Sequence, residues 1–229
     1  LDVQQIPLQL ALKATGLQLA PVSPYLGEQP ILTAGELGAD IAIQGTLGNA
    51  LHIKGQLSLD KAVMPDATGQ RQPTALPAVT VTQDMTVNLT DALLTIADVH
   101  ANLGALQTTL SGTVKQFDSP SPLLGLSLNT STFAIADVIS QWPMIAEMVP
   151  NPSEAQGNID LKATVKGTPE RLHAITHLNA QPVSVRLSDG TQLALATVRF
   201  AQDAVLDLGQ SLITLNQTDL DLGFLRTSL

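Results

Sequence analysis

The chain has 229 residues, a formal net charge of -9 at pH 7 and no cysteine, which excludes disulfides, thiol catalysis and cysteine-ligated zinc. Its 11 Lys and Arg residues form no cluster, and this argues against nucleic acid, whose phosphates require positive charge. Hydrophobic residues make up 44% of the chain but aromatic residues only 3%. We therefore expect an ordered protein with a thin aliphatic layer rather than a thick core.

The N-terminal part predicts strands with one apolar face. Apolar residues alternate over residues 3–14, where Pro7 indicates an edge strand because proline donates no backbone hydrogen bond. Residues 23–26 predict a short helical turn, with serine at the N-cap and proline after it. Residues 35–59 predict a hairpin whose alternating side chains are apolar on one face and polar on the other.

This hairpin recurs at residues 157–172. Gly157 and Gly167 bracket its first strand, as Gly35 and Gly45 bracket the earlier one. The sequence therefore predicts two repeat units about 122 positions apart, residues 1–132 and 133–229. We expect the chain to be a fragment of a longer repeat protein whose targeting sequence lies outside it.

The same alternation continues between and after the two hairpins. The apolar positions change parity after Ala97, which predicts a bulge. Residues 137–149 have apolar residues at helical spacing and predict a helix that opens the second unit, although Pro143 should kink it. Residues 168–181 begin like a helix, but the matching first hairpin favours a strand.

These patterns predict a mostly β fold: a curled antiparallel sheet that forms an open groove, with one or two short helices. One-sided strands must cover their apolar face, so a two-sheet sandwich is the alternative. Strands of about seven residues span about 23 Å, which is wide enough for a curled sheet to hold an acyl chain. The side chains expected to line the groove are Leu37, Ile41, Ile43, Leu51, Ile53, Leu57, Leu59, Val87, Leu89, Leu94, Ile96, Leu126, Leu128, Phe133, Ile135, Ile159, Leu161 and Val165.

The order of the segments resembles a known family. The segment "LQLAPVSPYL" is followed by "GELGADIAIQG", by "VNLTDALLTIADVHANLGALQTTLSGTVK", by "LLGLSLNTSTFAIADV" and by a second glycine-bracketed strand, "GNIDLKATVKG". Over nearly the whole chain this order resembles the AsmA-like family of bacterial envelope proteins, which includes TamB-type relatives. The individual motifs are degenerate leucine and glycine patterns, so the resemblance depends on their order.

The resemblance implies a long periplasmic protein, anchored in the inner membrane by a helix outside this sequence. Its groove would carry phospholipid acyl chains toward the outer membrane and support outer-membrane homeostasis, with both membranes contacted through parts outside this chain. One alternative is an assembly factor whose strand edges pair with outer-membrane protein strands. Another is a structural or adhesive β module. An exposed edge would also allow self-association.

Patterns for catalysis or metal binding are weak. His173 and His177 have zinc-site spacing on a helix, but on a strand they lie roughly 13 Å apart and cannot share an ion. Asp219 and Asp221 resemble the opening of a calcium loop that lacks its terminal glutamate. No serine–histidine–aspartate set or phosphate-binding glycine loop is recognisable. We therefore expect no enzyme activity, no cofactor and no metal.

Overall fold

The computed structural model describes residues 6–21, 32, 34–64, 73–142, 156–186 and 192–228. The strands of the first half are β1 (Pro7–Gln18), β2 (Ala34–Thr46), β3 (Ala50–Met64), β4 (Thr74–Ala75), β5 (Val79–Asn88), β6 (Leu93–Leu103) and β7 (Leu106–Lys115). Those of the second half are β8 (Leu123–Thr130), β9 (Phe133–Ala134), β10 (Gln156–Thr168), β11 (Arg171–Arg186), β12 (Gln192–Leu195), β13 (Val198–Asp207), β14 (Leu212–Asp221) and β15 (Arg226–Ser228). Helix α1 (Ile135–Gln141) lies between β9 and β10.

All fifteen strands belong to one antiparallel sheet. Its main path runs β1-β2-β3-β5-β6-β7-β8-β10-β11-β13-β14-β15. The short strands β4, β9 and β12 pair beside β3, β10 and β11. The two ends of the path, β1 and β15, do not pair with each other, so the sheet is open.

The register of the sheet shows which side chains share a surface, because directly opposed residues lie on the same face. Ile43 lies opposite Leu10 on β1 and Ile53 on β3, and Val165 lies opposite Leu126 on β8. We call the face that carries these residues, with the positions paired to them through the register, the groove face. The opposite side is the polar face. Alternation along each strand separates the two, as the sequence predicts.

The predicted open β-groove is confirmed, and the two-sheet sandwich is wrong. Every described strand lies in the same sheet, and within the described ranges no second sheet covers the groove face. None of the helices in those ranges is long and apolar enough to span a membrane.

Glycines bring neighbouring strand ends into close contact. Gly45 and Gly167 adopt φ values of +148° and +119°, which side-chain-bearing residues rarely adopt. A Cβ at these positions would overlap the carbonyl oxygens of Ala50 and Arg171. The two glycines therefore occupy equivalent sites in their hairpins, which explains why the sequence repeats them.

The register extends the repeat to the whole sheet. Strands β2 and β10 each have 13 residues, and β5 and β13 each have 10. Strand β1 has an irregularity after Ala14, and the path through β8 and β9 is interrupted after Thr130. The register shifts directly after Asp84 in β5 and directly after Asp203 in β13. Strands β1–β7 correspond to β8–β15, and from here on these two sets of strands are called the first and the second unit. The predicted boundary between residues 132 and 133 lies between β8 and β9, within the part of the second unit that corresponds to β1.

Three local predictions are confirmed. Strand β1 begins at Pro7 and lies at an end of the sheet. The bulge expected after Ala97 appears as a register shift between Ile96 and Val99. The segment that could have been a helix is strand β11 (Arg171–Arg186), paired along both sides.

The predicted helix begins earlier than expected, at Ile135 rather than at residue 137. Ala134 precedes it in an extended conformation, and Asp137 lies in its first turn, where a negative charge favours the helix dipole. The part of the prediction beyond residue 142, including Pro143, lies outside the described residues. The helical turn predicted at 23–26 also lies outside them.

Candidate functional site

The groove face is lined by rows of aliphatic side chains that cross the sheet perpendicular to its strands. One row runs from β1 to β14 through Leu10, Ile43, Ile53, Met85, Ile96, Gly112, Leu126, Val165, Ala174, Ala204 and Leu215. The next row runs through Leu8, Gly45, Leu51, Val87, Leu94, Val114, Leu124, Gly167, Leu172, Leu206 and Ile213. The two rows form a continuous apolar stripe that passes from the first unit into the second.

All predicted groove residues except Leu89 and Ile135 lie on this face. They are Leu37, Ile41, Ile43, Leu51, Ile53, Leu57, Leu59, Val87, Leu94, Ile96, Leu126, Leu128, Phe133, Ile159, Leu161 and Val165. Their contact with lipid stays a prediction.

Leu89 lies beyond the end of β5 and is 42% exposed in the turn to β6. The side-chain oxygen of Asn88 accepts hydrogen bonds from the backbone N–H groups of Thr90 and Asp91, both at 3.0 Å. This turn ends the strand before Leu89, although the alternation continues through it.

Ile135 is the first residue of α1 and not part of a strand. Its Cδ1 atom lies 3.3 Å from the position that a Cβ at Gly157 would occupy. Ile135 therefore packs against the beginning of β10. The alternation from Phe133 to Ile135 does not reveal that the strand has already ended.

The groove face also contains residues outside the predicted set, on strands that the sequence does predict. Leucine or another apolar residue at alternate positions marks these strands. Which face each side chain lies on, however, depends on pairing partners that are far apart in sequence. These residues include Leu8, Leu10, Leu12, Leu110, Val114, Leu124, Leu172, Leu178, Phe200 and Leu206.

The groove face is only partly shielded from solvent. Among the described residues no large side chain is less than 2% exposed, and Leu10, Ile213 and Leu215 near the two edges are 53%, 64% and 58% exposed. The chain exposes 14309 Å² of surface, against roughly 9,900 Å² for a compact monomer of its mass. The stripe is half-buried in the middle of the sheet and exposed near its two edges, so much of it keeps partial contact with solvent.

Helix α1 is fixed across one side of the sheet. Its own residues Val138 and Ile139 are buried. The side-chain oxygen of Gln141 accepts a 2.7 Å hydrogen bond from the backbone N–H of Ala105, and the indole N–H of Trp142 donates to the Leu103 carbonyl at 3.3 Å. The helix thus connects the start of β10 to the β6–β7 turn at the junction of the two units.

Ion pairs lie on the polar face. In the first unit, Asp84 is 3.0 Å from His52 and 2.9 Å from Lys54. No Asp, Glu, Lys, Arg or His occupies a groove-face position joined through the register in the described strands. The two faces therefore differ sharply in charge.

The matching carboxylate of the second unit is Asp203, which lies 2.8 Å from His173. Asn216 donates a 2.7 Å hydrogen bond to the same oxygen. The Asn216 hydrogen bond, followed by that from His173, lowers the pKa of Asp203 below its usual value. His173 is thus paired with a carboxylate while His177 is exposed, and in the described chain no three His, Asp or Glu side chains are placed to hold a metal ion.

No family model matches the chain, and no curated protein or solved structure matches it significantly. The resemblance to the AsmA-like family therefore stays a prediction, and the geometry of the sheet carries the functional argument.

Proposed function

We propose that this chain is a hydrophobic conduit that binds phospholipid acyl chains along its groove face. The observation that carries the proposal is the apolar stripe, which is continuous across both units and uncovered within the described residues. An apolar surface of this extent calls for an apolar occupant, because leaving it in water is unfavourable.

The dimensions of the sheet suit this occupant. Strands are spaced about 4.8 Å apart, so the twelve strands of the main path extend about 53 Å. One leaflet of a bilayer has a hydrocarbon thickness of about 15 Å, half of the roughly 30 Å core. The stripe is therefore longer than one acyl chain. Burying each methylene of such a chain contributes roughly 0.8 kcal/mol.

The chemistry of the lining favours movement over fixed recognition. In the described strands, charged groups are confined to the polar face. The stripe therefore offers few directional contacts that would hold a hydrocarbon chain at one position. In the setting that the family resemblance implies, the segment belongs to a periplasmic bridge-like protein. It carries phospholipid between inner and outer membrane and performs no catalysis.

The test places a charge on the groove face and, as a matched control, on the polar face of the same strand. Ile43→Asp and Val165→Asp put a carboxylate in the stripe, whereas Ala42→Asp and Thr164→Asp put it on the opposite side. Native mass spectrometry of the purified chain should show phospholipid bound to the unmodified protein and to the controls. The groove variants should fold and lose most of the bound lipid, because an ion in hydrocarbon is costly. Absence of lipid from the unmodified chain, or equal binding by all variants, would refute the conduit.

The alternative, strand-edge pairing with an outer-membrane protein, is favoured by one observation. Among the described residues strand β1 pairs only with β2, which leaves its outer edge without a strand partner there, and its Leu10, Leu12 and Leu17 side chains are more than 50% exposed. An exposed edge can accept a partner strand or a second copy of this chain. Photocrosslinkers placed at Gln9 or Ala11 should capture protein under this alternative and should capture no protein if the groove alone is functional.

A further inference from the structure

In the described strands, the groove face of each unit carries one long polar side chain, and the two lie at equivalent positions. Gln83 immediately precedes Asp84 in β5, and Gln202 immediately precedes Asp203 in β13. Those aspartates mark the matching register shifts of the two units, so the glutamines are structural counterparts. Both are half-buried.

Gln83 lies among groove-face residues without polar side chains. It is opposite Gly55 on β3 and Val99 on β6, and its neighbours on the same face of β5 are Val81 and Met85. Gly55 has no side chain, and the space that its Cβ would take is occupied by apolar Ile41 of β2, whose Cγ1 lies 3.0 Å from that position. Within the described part of the chain, the Gln83 carboxamide has no hydrogen-bond partner.

Gln202 lies in a short polar row. It is opposite Thr176 on β11 and Thr218 on β14, and Phe200 and Ala204 flank it on the same face of β13. Its carboxamide also has no hydrogen-bond partner among the described residues. Both units therefore have an unpaired carboxamide at the same point of the groove face, in the row next to the apolar stripe.

A threonine on this face can satisfy its hydroxyl locally. Thr130 does so, since its oxygen accepts the backbone N–H of Leu161 at 2.8 Å. A glutamine carboxamide is longer and carries two donors and one acceptor, so it needs a partner beyond the sheet. When hydrocarbon fills the groove, water leaves these groups, and an unpaired carboxamide is then costly. The occupant must therefore supply polar atoms at these two points.

We propose that Gln83 and Gln202 hydrogen-bond the ester carbonyl groups of bound glycerolipid, one lipid for each unit. This inference rests on the conduit function and adds its ligand class: ester-linked lipids rather than plain hydrocarbon or ether-linked chains. The carboxamide N–H donates to the ester carbonyl oxygen, while the acyl chains lie along the aliphatic rows on either side.

The separation of the two glutamines agrees with one lipid for each unit. Strands β5 and β13 are six steps apart on the main path, or about 29 Å along the sheet. An acyl chain of about 15 Å that starts at Gln83 therefore ends before it reaches Gln202. Two lipids can occupy the groove at once, with their ester groups at equivalent positions.

The experiment compares two phosphatidylcholines with identical headgroup and chain length, one ester-linked and one ether-linked, offered to the purified chain as an equimolar mixture in detergent micelles. Native mass spectrometry measures how much of each lipid is bound. The variants are Gln83→Leu, Gln202→Leu and the double variant. The matched controls are Gln56→Leu and Gln107→Leu, which remove exposed carboxamides from the polar face.

We expect the unmodified chain and the controls to prefer the ester lipid by about three- to tenfold, as one hydrogen bond provides. Each single variant should lose the preference at one of two bound lipids, and the double variant should bind both lipids equally. Equal binding by the unmodified chain, or a preference that survives in the double variant, would overturn this inference and leave the conduit intact. If neither lipid binds to the unmodified chain, the conduit itself fails.

Discussion

The first unit, β1–β7, and the second, β8–β15, can be compared position by position because their registers match. On the polar face, His52 and Asp84 of the first unit correspond to His173 and Asp203 of the second, and the histidine–aspartate pair is kept. The other contacts to the carboxylate differ. Asp84 also pairs with Lys54, whereas the residue in the Lys54 position of the second unit is Ile175.

On the groove face the two units differ in the size of their side chains, and one row also differs in polarity, since Gly55 and Val99 of the first unit correspond to Thr176 and Thr218 of the second. Ile43 and Ile53 of the first unit are replaced by Val165 and Ala174 in the second. In a close-packed core such losses of volume would leave cavities and cost stability. A surface that only has to be apolar tolerates them. The repeat therefore preserves backbone geometry and, in the described strands, an uncharged groove face rather than the shape of each side chain, which suits a fluid occupant.

The largest effect is expected at Gly45 and Gly167, the equivalent glycines of the two units. Gly45→Ala and Gly167→Ala should each destabilise the protein by at least about 2 kcal/mol, because alanine is strained at these φ values and its Cβ overlaps a neighbouring carbonyl. Urea denaturation followed by circular dichroism measures the loss. The two variants should behave alike, since the sites are equivalent.

Gly125→Ala is the control for this pair. Gly125 lies within β8, and a Cβ there would be 3.6 Å from its nearest neighbour, the Thr113 hydroxyl oxygen, which is ordinary contact. We expect little loss or a small gain of stability. If Gly45→Ala cost no more than Gly125→Ala, the glycines would not define the repeat.

The groove-face residues can be predicted from the sequence wherever the alternation of apolar and polar residues lies within a strand. At Ile41, Ile43 and Ile53 the pattern alone indicates the facing direction. It fails at Leu89, where Asn88 forms a turn that stops the strand, and at Ile135, where a helix begins. Alternation reports a possible strand, but local hydrogen bonds decide where the strand ends.

Features that depend on register could not be predicted. The histidine–aspartate pairs join β3 to β5 and β11 to β13. The two residues of each pair are about 30 positions apart in the sequence, with a connecting segment between their strands. The same holds for Gln83 and Gln202, whose equivalence appears only when the register shifts after Asp84 and Asp203 are aligned. In each case the missing information is which strands lie side by side.

A smaller effect is expected for Asp203, whose contribution to the stability of the fold should depend on pH. The pKa of Asp203 lies below its usual 3.8, chiefly because Asn216 donates a hydrogen bond to it. A carboxylate with a lowered folded-state pKa stabilises the fold above its usual pKa, and this contribution is lost as pH falls through the lowered value. Asp203→Asn should therefore destabilise the protein at pH 7, and the loss should be smaller near pH 2, because the native carboxylate loses its advantage as it takes up a proton.

Urea denaturation at the two pH values checks this prediction, with Asp118→Asn on the β7–β8 connection as an exposed control. The control should shift stability little at either pH. An equal loss for Asp203→Asn at both values would show that the side chain acts through packing rather than through its charge.

The smallest effect on stability is expected from exchanging Lys54 of the first unit and Ile175 of the second, which lie at equivalent positions. Ile175→Lys places a cation opposite Asp203, as Lys54 lies opposite Asp84, and the unfolding midpoint should rise slightly at low salt. The gain should vanish near 1 M salt, where the screening length is only about 3 Å. The reverse exchange, Lys54→Ile, should lower the midpoint in the same salt-dependent way. A gain from Ile175→Lys that persisted at high salt would mean that the lysine stem packs on the sheet. The second unit would then have kept its isoleucine for a reason other than stability, such as contact with a partner on the polar face.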